Sequence, residues 1–220
     1  MRGLTKVRLA VLISGRGSNM SAIARACLAG EIDARVVLVV ADREAAAGLG
    51  AARDFGAETA TVLPNTAPAA FEAELAATLD ACQPDAIALA GFMRILSADF
   101  VARYLGCLFN IHPALLPAYR GLHTHRRVLA AGEREHGASV HFVTAELDGG
   151  PVILQSRLSV RAGESEAALA ARVLATEHII YPQALGWFAQ RRLTWHDDAA
   201  WLDGRRLDAP VVEDFRAAAV

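Results

Sequence analysis

Asn110-Ile111-His112 closes an apolar run over residues 107–111, and Pro113 ends it. Residues two apart on a strand face the same side, so Asn110 and His112 project together from its exit. An amide donor beside an imidazole suits a reaction that develops an oxyanion and moves a proton. Two polar side chains leaving an apolar strand cost free energy unless they are satisfied or used. Taken alone, His112 fits a satisfied structural histidine as well as a catalytic one. Asp148 lies in Glu146-Leu147-Asp148-Gly149-Gly150-Pro151. By spacing it is first a turn residue, since Asp-Gly is a strong turn dipeptide.

A second candidate is Ile13-Ser14-Gly15-Arg16-Gly17-Ser18-Asn19, where glycines stand between a strand pattern and a helix pattern. Glycine lets backbone approach a ligand closely, and free N–H groups at a helix start favour an anion such as phosphate. A dinucleotide turn is the rival, but the third glycine of G-x-G-x-x-G is missing. Only Asp42 could serve as its ribose-binding acid. His123, His125, His136 and His141 invite a metal reading, yet they lack a ligand spacing and a matching carboxylate or cysteine group.

The elements that must hold these residues alternate. Strand patterns at 7–14, 34–41, 59–63, 85–90 and 107–111 are separated by helix patterns at 19–29, 45–55 and 68–82, the last opening on Pro68. Near-continuous apolar strands between helices predict a doubly wound, mostly parallel α/β sheet covered on both faces, in a single domain. The site then falls in the crevice at the strands' carboxyl ends, where 15–19, 91–96 and 110–112 all lie. Residues 139–143 and 152–160 read as two further strands joined by the turn at 146–151. A long helix over 164–190 follows, which Pro182 is expected to kink or interrupt. We divide the domain into a phosphate-binding half (1–105), a second half that carries Asn110, His112 and Asp148 (106–204) and a short tail (205–220).

Composition narrows the partners. The 220 residues are 54% hydrophobic and 21% charged, with net charge -2, so no basic footprint for nucleic acid or an acidic membrane surface exists. Cys27, Cys82 and Cys107 are odd in number and widely spaced, which argues for buried thiols in a reducing compartment. No apolar stretch reaches the roughly 18–20 residues of a membrane span. A cytoplasmic protein, monomeric or homodimeric, is expected.

Five segments together resemble the phosphoribosylglycinamide formyltransferase family of folate-dependent enzymes. Besides 13–19 these are Leu89-Ala90-Gly91-Phe92-Met93-Arg94-Ile95-Leu96, Asn110 through Pro117, Gly121-Leu122-His123-Thr124-His125, and Gly137 through Pro151. Their order and spacing cover most of the chain, from Val7 to Gly204. The resemblance implies a formyl transfer from 10-formyltetrahydrofolate to the amine of 5-phosphoribosylglycinamide, a step of purine synthesis, without a metal. It implies Asn110, His112 and Asp148 as the catalytic trio, and Gly17, Ser18 and Asn19 on the substrate phosphate. Glu177 would meet the glycinamide amine. Met93, Arg94, Ile95, Leu96, Thr144, Ala145, Glu146, Leu147 and Asp148 would hold the folate. The chain departs from the family where relatives often carry an arginine before the helix at Pro68, and at Ala118, where many have lysine; both bear on the folate tail.

Related chemistries stay open. Methionyl-tRNA formyltransferases and formyltetrahydrofolate hydrolases share the trio, but the former are expected to carry a C-terminal β-barrel and the latter an N-terminal regulatory domain. A nicotinamide oxidoreductase or an inactive folate-binding module are the readings from other classes.

Overall fold

The computed structural model describes residues 6–64 and 67–217. Strands β1 (Val7–Ile13), β2 (Ala34–Ala41), β3 (Glu58–Thr61), β4 (Ala86–Leu89) and β5 (Leu108–His112) alternate with α1 (Ser18–Leu28), α2 (Gly48–Asp54), α3 (Pro68–Cys82) and α4 (Ala98–Arg103). Then come α5 (Thr124–Ala130), β6 (Glu135–Phe142), β7 (Val152–Ser159) and α6 (Glu166–Ala189). The chain closes with β8 (Leu193–His196), β9 (Ala199–Leu202), β10 (Arg205–Arg206) and β11 (Val211–Asp214).

The main sheet has the order β11-β7-β6-β5-β4-β1-β2-β3. Neighbours pair in parallel except at β6, which runs antiparallel to both β5 and β7. Alternation along β1 shows why both faces must be covered: Leu9, Val11 and Ile13 enter one core, while Ala10 and Leu12 enter the other. The first core packs against α1, α2, α5 and α6, the second against α3 and α4. The expected doubly wound α/β fold is therefore what the chain adopts. Chain order reverses between β1 and β4, which opens the crevice where sheets of this kind bind ligands.

Three features differ from expectation. Pro182 does not interrupt α6, which runs unbroken over 24 residues. Proline removes one helix bond at a cost of about 3 kcal/mol. Against that, Leu169, Val173, Ile180, Tyr181 and Leu185 are wholly buried, each worth about 1.5–3 kcal/mol. Ser165 caps the helix by accepting from the Ala168 N–H at 3.2 Å, and Glu166 sits favourably in its first turn. The short helices α4 and α5 were not foreseen; six and seven residues are too few to print a helical period. Third, the segment expected as a tail contributes strands: β10 pairs with β9 in a three-stranded sheet with β8, and β11 pairs parallel with β7. No helix among the described residues is long and apolar enough to cross a membrane.

Candidate active site

β5 and β6 build one wall of the site. Their antiparallel register sets Asn110 opposite His141 and His112 opposite Ser139. Directly opposed side chains share a face, so the register delivers His141 to Asn110. The Asn110 Nδ2 lies 3.1 Å from His141 Nε2. His141 Nδ1 lies 2.8 Å from the Phe142 carbonyl, which can only accept. His112 is 5% exposed, and its Nδ1 stands 3.5 Å from Asp148 Oδ2. Asp148 Oδ1 lies 3.8 Å from His141 Nε2. The expected trio therefore comes together, and the loop between β6 and β7 supplies the carboxylate. Asp148 itself holds a left-handed φ of 48°, a conformation aspartate tolerates better than most residues.

The loop before α5 closes over these groups. The Tyr119 carbonyl lies 3.0 Å from His112 Nε2, and the Gly121 N–H donates to Asp148 Oδ2 at 2.9 Å. Arg120 donates to Glu146, tying this loop to the one that carries Asp148. Both ring nitrogens of His112 thus face oxygens.

The other candidate subsite lies at the end of β1. Gly17 takes a left-handed φ of 69°, and a Cβ there would meet the Gly48 Cα at 3.0 Å. No side chain caps the start of α1 and no acid lies in its first turn, which leaves that N-terminus open to an anion. The Asn19 side chain does not extend the anion site. Its Nδ2 donates to Glu177 Oε2 at 2.7 Å, and its buried Oδ1 has no partner. Burial pushes the Glu177 carboxyl up, against the pull of the Asn19 amide. Asn19 and Glu177 together form a buried pair of acceptors, which fits an amine or hydroxyl, while the helix start fits a phosphate.

The segments expected to hold folate converge. A cavity of about 110 Å³ is lined by Arg94, Ile95 and Leu96 and by Thr144, Ala145, Glu146, Leu147 and Asp148, with Asn110 and His141 also in its lining. Met93 does not line it, but Met93, Ile95 and Leu147 are 61%, 80% and 51% exposed beside it. Apolar side chains left in solvent around a cleft mark a surface for an apolar ligand. A larger cavity, about 570 Å³, lies between α1 and α6 and contains none of these residues.

Some functional groups escaped sequence reasoning. Tyr181, wholly buried, reaches the Leu89 and Phe109 carbonyls at 3.1 Å each and so ties the end of β4 to the start of β5. Asp42 is no ribose-binding acid. It is 2% exposed and paired with Arg94 at 2.9 Å and Arg43 at 3.1 Å. Burial alone would raise its pKa, yet hydrogen bonds from Arg43, Arg94 and Ser14 hold it below the usual carboxylate value. His125 and His136 face each other at 2.9 Å, and no group of three metal-ligating side chains converges among the described residues. His141 was signalled only by its strand: with the β5–β6 register known, alternation points it at Asn110.

Known proteins share this arrangement of chain. Residues 7–185 match the formyl transferase family. Phosphoribosylglycinamide formyltransferase of Escherichia coli (strain K12) is 52% identical over 203 residues, which cover 91% of this chain and 96% of that one. The enzyme of the same name from Haemophilus influenzae is 39% identical over 202 residues, covering 91% and 95%. A solved phosphoribosylglycinamide formyltransferase from Coxiella burnetii, in complex with CHES, superposes with a TM-score of 0.89 at 44% identity, covering 94% of this chain and 98% of its own. On a match spanning seven of the eight strands of the main sheet, both candidate subsites and most of α6, the chain belongs to the formyl transferase family.

Proposed function

We propose that the chain transfers the formyl group of 10-formyltetrahydrofolate to the amino group of 5-phosphoribosylglycinamide. The observation that carries this reading is the pairing of two unlike subsites along one crevice. An uncapped helix start with a buried acceptor pair suits a phosphorylated amine, and an amide–imidazole–carboxylate group beside an apolar-rimmed cleft suits acyl transfer from an aromatic carrier. The name shared by the Escherichia coli and Coxiella burnetii proteins supports it.

Formyl transfer needs the neutral amine to attack the formyl carbon. The new C–N bond forms first as the carbonyl π bond opens onto the formyl oxygen; a proton then passes from the amine to the folate nitrogen, whose bond to the formyl carbon breaks as the carbonyl re-forms. Negative charge develops on the formyl oxygen meanwhile. Asn110 offers an amide hydrogen beyond the one engaged with His141, and His112 offers a second donor once substrate displaces the Tyr119 carbonyl from Nε2. Asp148 orients His112 through Nδ1 and carries the proton. The substrate phosphate would rest on the N–H groups and hydroxyl at Gly17, Ser18 and Asn19, and its amine between Asn19 Oδ1 and Glu177. The pterin would rest against Arg94, Ile95, Leu96 and Thr144–Asp148, with Met93 at the rim. A cytoplasmic setting fits this chemistry.

Purified protein mixed with both substrates, followed by folate absorbance, tests the proposal. Turnover that requires the glycinamide is expected. Equal turnover without it would replace transfer by hydrolysis of the formyl-folate.

A further inference from the structure

His141 enters the site without a role in the chemistry above, yet it is 2% exposed and touches two of the three groups that carry it. Its protonation is set by what surrounds it. Nδ1 faces the Phe142 carbonyl at 2.8 Å, and a carbonyl only accepts, so Nδ1 bears the hydrogen. Burial drives the ring's pKa down to about 4, opposed by the Phe142 carbonyl and the Asp148 carboxylate, so the ring is neutral at working pH. Nε2 therefore presents a lone pair. Only the amino end of Asn110 can answer a lone pair at 3.1 Å, which fixes which way round that amide stands.

This matters because an asparagine amide has two chemically opposite ends of nearly equal size. Turned over, Asn110 would offer a carbonyl oxygen where a donor to the developing oxyanion is needed. We propose that His141 is a positioning residue for formyl transfer: locked as the Nδ1–H tautomer by the Phe142 carbonyl, it holds the Asn110 amide with its NH₂ toward the reacting carbon. The inference rests on the reading of Asn110 as an oxyanion donor. His141 also lines the cavity proposed for folate, so a positioning role shows in kcat and a folate contact shows in KM.

The test is a double-mutant cycle with a tautomer measurement beside it. His141→Phe, which keeps the ring volume and removes the acceptor, lowers kcat by about 10- to 100-fold, the scale of a displaced catalytic group. KM for either substrate changes by less than about threefold, and a larger rise in the folate KM without loss of kcat would make His141 a folate contact instead and overturn the inference. His141→Gln keeps an acceptor within reach of Asn110 and restores most of the rate. In an Asn110→Ala background, adding His141→Phe changes kcat by less than about twofold, because the group it acts through is already gone. Should the Phe variant fail to fold, His141→Asn, polar but too short to reach Asn110, takes its place in the cycle. ¹⁵N-histidine NMR of the wild-type protein shows His141 neutral with the hydrogen on Nδ1 at pH 7. Equal loss of kcat in both backgrounds, or an Nε2–H tautomer, overturns the inference. Failure of the underlying reading is distinguishable, since it shows as full turnover by Asn110→Ala alone.

Discussion

The crevice meets ligand in two different ways at its two ends. After β1 the groups on offer are mostly backbone: an uncapped helix start, reached through a glycine turn packed on Gly48. After β5 they are side chains, Asn110, His112, Asp148 and His141, each already bonded to another part of the protein. Backbone N–H groups bind an anion equally in ground state and transition state, which serves affinity. Charged and tautomeric side chains respond to charge as it develops, which serves rate. Under the proposed function, the first region holds and the second reacts.

Substitutions should separate the two. The largest effect is expected at the reacting end: His112→Ala lowers kcat by roughly 10²-fold or more, and Asp148→Asn by a similar factor. Steady-state rates at saturating concentrations of both substrates measure this, and near-wild-type turnover by either variant would break the comparison at its stronger side. At the holding end, Ser18→Ala and Glu177→Gln raise KM for the phosphorylated amine about tenfold with kcat nearly unchanged, about 1.4 kcal/mol of binding. A rise in the folate KM instead would mean that the two subsites are exchanged.

Smaller effects sharpen the picture. Tyr181→Phe removes the hydroxyl that spans the Leu89 and Phe109 carbonyls, at about 1 kcal/mol, and lowers Tm by about 2–4 °C. Thermal unfolding by circular dichroism checks it, and an unchanged Tm would show that the carbonyls need no such tie. The last is a pH effect. Burial depresses His136 and His141 from 6.5 to about 4 in the folded chain, so below pH 6.5 the unfolded chain binds more protons. Stability from these two rings is complete above pH 6.5 and is lost progressively as pH falls toward 4. Urea midpoints at pH 7.5 and pH 5 measure the loss, and His136→Phe should reduce it.

The two ends were also unequally legible in sequence. Gly15-x-Gly17 between a strand and a helix announces itself, because close backbone approach restricts residue type locally. Asn110 and His112 were visible as polar residues in an apolar strand. Asp148 could not be told from a turn residue until the fold brought its loop to His112. His141 was hidden most deeply. Its partner is 31 residues away, and only the antiparallel return of β6 sets them opposite. Asn19 was legible as a site residue but not in kind, since its bond to Glu177 joins residues 158 apart. The continuity of α6 through Pro182 likewise depends on burial contributed by distant elements.

Helix α6 has a consequence for how far apart the two ends of the crevice stand. Glu177 and Tyr181 lie four residues apart on one face, about 6 Å along the axis. The first grips Asn19 at the holding end, and the second pins the strands that lead into the reacting end. The helical pitch thus acts as a ruler, converting a fixed residue count into a fixed distance between the two ends of the crevice. A single residue inserted between them would turn Tyr181 by about 100° relative to Glu177. Both marks on the ruler would then miss together, although neither end of the crevice had itself been altered.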